Sequence, residues 1–178
     1  MALIRKQHVL PGLIGLLTAA FLLTLRPSFQ DAGGAGVAVG DEAPEFHLMS
    51  ETGQPIQLKD FRGQFVVLNF WATWCPPCVD EMPSLNRFHQ RFASRGVVVL
   101  GVSVDDNFHA YQQFLKKAGV EFLTVRDPER KVSRQYGTFK YPETYFIDRQ
   151  GKVAHKFIGP KDWNDPEILD FMDQLLRG

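Results

Sequence analysis

The stretch Leu68-Asn69-Phe70-Trp71-Ala72-Thr73-Trp74-Cys75-Pro76-Pro77-Cys78 constrains this chain more than any other, because an apolar run drives straight into two cysteines separated by two residues. They are the chain's only cysteines. A disulfide framework needs pairs spread along the sequence to close long loops, so two thiols this close read as chemistry rather than scaffolding. Phe65 to Trp71 has the near-continuous apolar pattern of a strand buried on both faces. Beyond the cysteines, Cys78, Met82, Leu85, Phe88 and Phe92 recur at spacings of three and four, which predicts an amphipathic helix ending near Arg95-Gly96. A strand that ends in Cys-x-x-Cys and continues as a helix places the first sulfur at the helix N-terminus, where unpaired N–H groups and the macrodipole stabilise a thiolate. Cys75 is then the exposed nucleophile. Cys78, one turn into the helix, is placed to attack the mixed disulfide that Cys75 forms with a client. Pro76 and Pro77 both lack an N–H, which withholds two donors from the Cys75 sulfur. The expectation is a Cys75 thiol less acidic than an oxidant's, a lower reduction potential and a reductant's role.

The remaining chain reads as one α/β domain over residues 41–178. Ala43 to Leu48 and Pro55 to Leu58 alternate around a turn at Glu51-Thr52-Gly53-Gln54, which predicts an N-terminal β-hairpin. Val97 to Val104 is a second buried strand, and Asn107 caps a helix closed by Gly119. A short strand at Phe122 to Val125 and a short helix ending at Gly137 follow. Thr144 to Ile147 and Val153 to Phe157 form a hairpin, and Asp165-Pro166 opens a last helix with Ile168, Met172, Leu175 and Leu176 on one face. Buried parallel-type strands first and an antiparallel hairpin last give a mixed central sheet flanked by helices.

Residues 1–26 read as a signal anchor. Arg5 and Lys6 precede an uncharged run from Val9 to Leu25, which as a helix measures about 26 Å. Cleavage near Ala32 to Ala35 is the alternative, and either reading sends the domain out of the cytoplasm. Residues 27–40, with four glycines among small residues, read as a flexible linker spanning about 20 Å. Lys plus Arg number 20 and Asp plus Glu number 20, so no net charge draws the chain to nucleic acid. The chain is 44% hydrophobic and 22% charged, which suits a globular domain and excludes disorder for its bulk.

Phe70 to Cys78, with Pro83 five residues later, resembles the thioredoxin active-site signature. The preceding hairpin, the inserted helix after Asn107 and the segment Tyr141-Pro142-Glu143-Thr144-Tyr145-Phe146-Ile147-Asp148 are similar to the membrane-anchored branch typified by ResA, TlpA and CcmG (DsbE). The resemblance implies a thioredoxin-like fold and an extracytoplasmic thiol-disulfide reductase on the bacterial cytoplasmic membrane, held by a single-pass helix. It also implies a protein disulfide client such as apocytochrome c, and electrons from a membrane donor of the CcdA or DsbD kind. No cofactor beyond a redox-active Cys75–Cys78 disulfide is implied. Pro142 matches the family's cis-proline, which packs against the disulfide, and Tyr141 matches the residue whose backbone meets the partner. Glu81 matches an acidic residue that handles protons, and its spacing puts it on the cysteine face of the helix. Glu143 matches the Pro-Glu-Thr of the CcmG type and, with Pro76, Pro77 and Trp74, is a candidate partner-binding residue, core packing being the alternative for Trp74. Thioredoxin itself carries a buried aspartate where this chain has Asn69. An amide cannot accept a proton as a base, so that task passes to Glu81 or Glu143.

Three other readings compete. A zinc site lacks further ligands, since the remaining histidines are scattered. A peroxiredoxin-type peroxidase using Cys75 is the main alternative, although a second thiol three residues away favours dithiol exchange. A non-enzymatic docking module has no need of two intact cysteines.

Overall fold

The computed structural model describes residues 36–177. The anchor at 1–26 and most of the linker lie outside those residues. Among the described residues no helix is long and apolar enough to cross a membrane. Among the described residues, seven strands and four α-helices follow one another: β1 (His47–Met49), β2 (Pro55–Gln57), β3 (Phe65–Trp71), α1 (Pro76–Phe92), β4 (Val97–Ser103), α2 (Phe108–Ala118), β5 (Leu123–Arg126), α3 (Lys131–Gln135), β6 (Glu143–Ile147), β7 (Val153–Ile158) and α4 (Pro166–Arg177). The central sheet has the order β5-β4-β3-β6-β7. Its first three strands are parallel, and β6 and β7 run antiparallel to their neighbours. The hairpin β1–β2 is a separate small sheet, and Ser50 at its turn bridges Val125, so the hairpin covers the β5 edge.

Alternation along β3 decides which side chains meet which helices. Phe65, Val67, Asn69 and Trp71 face one way and Val66, Leu68 and Phe70 the other, every one of them buried. The first face packs against Met82, Leu85, Phe88 and Phe92 of α1, Tyr111 and Leu115 of α2, and Ile168 and Met172 of α4. The second face meets Val132 of α3, Tyr136, and the N-terminal segment through Ala43, Phe46 and Leu58. Trp71 fits because its indole lies over Gly101 of β4, the register partner of Asn69, where a Cβ would come 3.0 Å from the indole nitrogen. Helix ends follow the expected residues: the Asn107 side chain accepts from the Ala110 N–H at 3.0 Å, and Gly119 closes α2 in the left-handed region.

The described part of the expected linker, residues 36–40, lies against the domain. Within it, the Val37 N–H donates to the Tyr136 carbonyl at 3.1 Å and the Gly40 N–H to the Val153 carbonyl at 2.8 Å. Gly137, at φ 70°, lies so close to Gly36 that a Cβ there would come 2.3 Å from the Gly36 Cα. Residues 36–40 are thus docked on the domain, because two glycines let the backbones touch. The alternation read into Ala43–Phe46 does not become ladder either. The strand starts at His47, and this segment instead buries Ala43 and Phe46 against the sheet.

Candidate active site

β3 ends at Trp71, and four residues carry the chain from there to α1. Asp105, just past the end of β4, holds this turn. Its buried carboxylate accepts the Thr73 N–H at 3.0 Å, the Thr73 hydroxyl at 2.7 Å and the Ser103 hydroxyl at 2.7 Å. The turn delivers Cys75 as the N-cap of α1, with Pro76 and Pro77 as the first two helical residues. The next N–H groups, of Cys78 and Val79, donate to the Cys75 carbonyl at 3.0 and 3.1 Å. No helix N–H is left over for the Cys75 sulfur from the first turn, as the two prolines led us to expect.

Cys75 and Cys78 form a disulfide with a Cα–Cα distance of 5.3 Å. Cys75 is less exposed than expected of a nucleophile, with 6% of its surface accessible, against none for Cys78. The difference still makes Cys75 the sulfur an incoming thiol or disulfide can reach. The Tyr141–Pro142 peptide is cis, and the Tyr141 carbonyl oxygen lies 3.6 Å from the Cys75 sulfur. This carbonyl can accept the thiol proton of the reduced form. Trp74 is 52% exposed and meets Tyr141 edge to face at 6.0 Å, and the Arg130 guanidinium lies 5.8 Å from the Trp74 ring centroid. Trp74 is therefore a rim residue, not core. Pro76 is exposed and Pro77 half-buried beside it.

Glu81 is almost completely buried. Its Oε1 accepts from Asn69 Nδ2 at 2.8 Å and its Oε2 from the Lys161 N–H at 3.0 Å. Burial pushes its carboxyl up to about 7, against the smaller opposing pull of those two bonds, of the nearby Trp163 indole and of the Lys161 charge. The Trp163 indole N–H itself lacks a partner at full hydrogen-bond geometry. A groove of about 420 Å³ opens beside Pro77, lined by Glu81 with Asp80, Ser84 and Arg87 of α1 and Lys161 of the loop after β7.

Glu143 does not join Glu81. Thr144 faces Asn69 and α1, so Glu143 and Tyr145, one residue to either side on β6, face the opposite layer. There Glu143 is buried, accepts the Tyr145 hydroxyl at 2.7 Å and pairs with Lys156 Nζ at 2.5 Å. Burial by itself lowers the Lys156 ammonium, but the bonds to Glu143 and Tyr145 carry it above its ordinary value. The Glu143 carboxylate is thus committed inside the protein, to Tyr145 and Lys156. Sequence reasoning missed Asp105, Thr73 as its ligand, and Lys156. The available signal for Asp105 was an acid at the carboxyl end of a parallel strand, where α/β sites assemble. Lys156 stands in a hairpin strand with nothing in its spacing to mark a buried pair. Among the described residues no group of three or more His, Cys, Asp or Glu is arranged to hold a metal ion.

Residues 39–156 match the model of the AhpC/TSA family. The thiol-disulfide oxidoreductase ResA of Bacillus subtilis is 33% identical over 174 residues, covering 98% of this chain and 96% of the relative. ResA of Geobacillus thermodenitrificans is 39% identical over 144 residues, covering 81% and 82%. A solved structure from Chlorobium tepidum, assigned as a thiol:disulfide interchange protein of the DsbE type, superposes with a TM-score of 0.74 at 31% identity, covering 79% of this chain and 99% of its own. The disulfide at a strand-to-helix junction, the cis-proline facing it and these similarities agree. The chain belongs to the AhpC/TSA family, in its ResA/TlpA/CcmG (DsbE) branch of thioredoxin-like thiol-disulfide oxidoreductases.

Proposed function

We propose that the chain is an extracytoplasmic reductase of protein disulfides, tethered to the bacterial cytoplasmic membrane by its N-terminal segment and working without a cofactor other than its own dithiol. The observation that carries this reading is the Cys75–Cys78 disulfide with the Tyr141 carbonyl 3.6 Å from the outer sulfur. In the reduced protein the Cys75 thiolate attacks a client disulfide, forming a mixed disulfide and releasing one client thiolate. Cys78 gives its proton to the Glu81 carboxylate and attacks the Cys75 sulfur, closing the protein disulfide and releasing the second client thiolate. The two client sulfurs take up the two protons, and the client gains the two electrons the dithiol loses. Trp74, Pro76, Pro77 and Tyr141 supply the surface that meets the client, and the cis peptide before Pro142 presents the Tyr141 carbonyl to Cys75. Two donorless residues at the start of α1 favour the reducing direction. A disulfide-bonded apocytochrome c is the client class, and a membrane protein of the CcdA or DsbD kind returns the electrons, in keeping with the ResA and DsbE names of the relatives.

The test compares two substrates. The reduced protein is expected to reduce a disulfide-bonded protein stoichiometrically and to consume peroxide no faster than an ordinary thiol. Cys75→Ser is expected to lose the disulfide reaction entirely. Catalytic peroxide consumption with the protein disulfide left intact assigns the site to a peroxidase instead.

A further inference from the structure

Asn69 sits in the middle of β3, fully buried, on the face that α1 covers. Its Nδ2 donates to two acceptors on two different elements, Glu81 Oε1 on α1 at 2.8 Å and Thr144 Oγ1 on β6 at 2.9 Å. Its Oδ1 has no partner. A buried amide that uses only its donor end is held at a cost, since an unpaired acceptor forfeits its hydration. An aliphatic side chain of similar size avoids that cost but donates nothing. An aspartate there would set a second carboxylate against Glu81, and the two would share a proton. Of the amide, the aliphatic group and the carboxylate, the amide alone donates to Glu81 without adding a charge.

We propose that Asn69 is the positioning residue for Glu81: anchored on Thr144, it fixes the Glu81 carboxylate between β3 and α1 and favours its charged, proton-accepting form against the pull of burial. The catalytic meaning of this role rests on the reading above that Glu81 takes the Cys78 proton. The remaining groups around Glu81 are few. Lys161 donates its backbone N–H to Oε2 and contributes its charge. Asp80 and Arg87 on α1 and Asp162 beside Lys161 line the same groove. Cys78 lies one turn back on α1, and the Trp163 indole is close by. The neighbouring strand residues on this face, Asn69 and Thr144, carry no charge, and Glu143 faces the other layer. Asn69 is thus the side chain whose replacement changes donation to Glu81 without changing any charge.

The experiment follows the Glu81 carboxyl by carbon NMR across pH, with Glu81→Gln identifying its resonance, in the wild type, Asn69→Leu and Thr144→Val. Asn69→Leu is expected to move the Glu81 titration up by about one pH unit or more, the size of a lost hydrogen bond to a charged group. Thr144→Val, which removes only the anchor, is expected to move it the same way by less. The pH midpoint of mixed-disulfide resolution at Cys78 is expected to rise with it. An unmoved Glu81 titration overturns the inference, and Thr144→Val carries the test alone if Asn69→Leu does not fold. A moved titration with an unmoved resolution midpoint supports the positioning role and overturns the proton-transfer reading instead.

Discussion

The Cys78→Ser protein, offered a disulfide-bonded protein client, is expected to accumulate a covalent adduct through Cys75 and to complete no turnover. The geometry divides the labour this way because Cys75, at the N-cap of α1, keeps an accessible edge while Cys78 has none. With serine at 78 the first exchange proceeds and the second has no nucleophile, so the mixed disulfide persists until an external thiol cleaves it. Intact-mass analysis reads the adduct directly, and Cys75→Ser is expected to form none. Equal trapping by Cys75→Ser reverses the two roles.

Glu81→Gln is expected to show two large effects, both read as pH dependence. The first is on stability. The folded carboxyl sits near 7 and its ordinary value is 4.5, so between those values the folded protein holds a proton that the unfolded chain has released. Stability from this group is complete below pH 4.5 and is lost as pH rises through 7, a fall of about 3 kcal/mol. Denaturant unfolding of the oxidised protein is expected to show that fall in the wild type and not in Glu81→Gln, which becomes the more stable of the two at alkaline pH. The second effect is on chemistry. A carboxyl near 7 is matched to take a thiol proton at neutral pH, and removing such a base slows the step it serves by about a hundredfold. Resolution at Cys78 is expected to slow by that order and to lose its titration near 7. Unchanged resolution in Glu81→Gln removes the base assignment.

Much of this architecture was legible from local patterns. The buried run Phe65–Trp71 occupies the centre of the sheet, and the three-four spacing from Cys78 to Phe92 is the buried stripe of α1. Asn107 and Gly119 bound their helix as their chemistry dictates. The Tyr141–Pro142 peptide is cis and its carbonyl meets Cys75. What local pattern could not supply was which face of β6 meets which layer. Glu143 and Thr144 are adjacent in sequence, and only the pairing of Asn69 opposite Thr144 puts the hydroxyl with Glu81 and the carboxylate with Lys156. The role of Asp105 was missed for a similar reason, since its ligand Thr73 comes from a different strand end, 32 residues away. Residues 36–40 read as tether because glycine-rich sequence usually is. Close backbone contact between Gly36 and Gly137 is a tertiary fact that composition cannot show.

The most direct test of the reducing role is the equilibrium of the Cys75–Cys78 couple against glutathione. With Pro76 and Pro77 withholding two N–H donors from the Cys75 sulfur, the thiolate gains little from the start of α1, and the disulfide is the favoured form. The expected potential is close to that of thioredoxin, about −270 mV. A value near that of a strong periplasmic oxidant, about −120 mV, contradicts it.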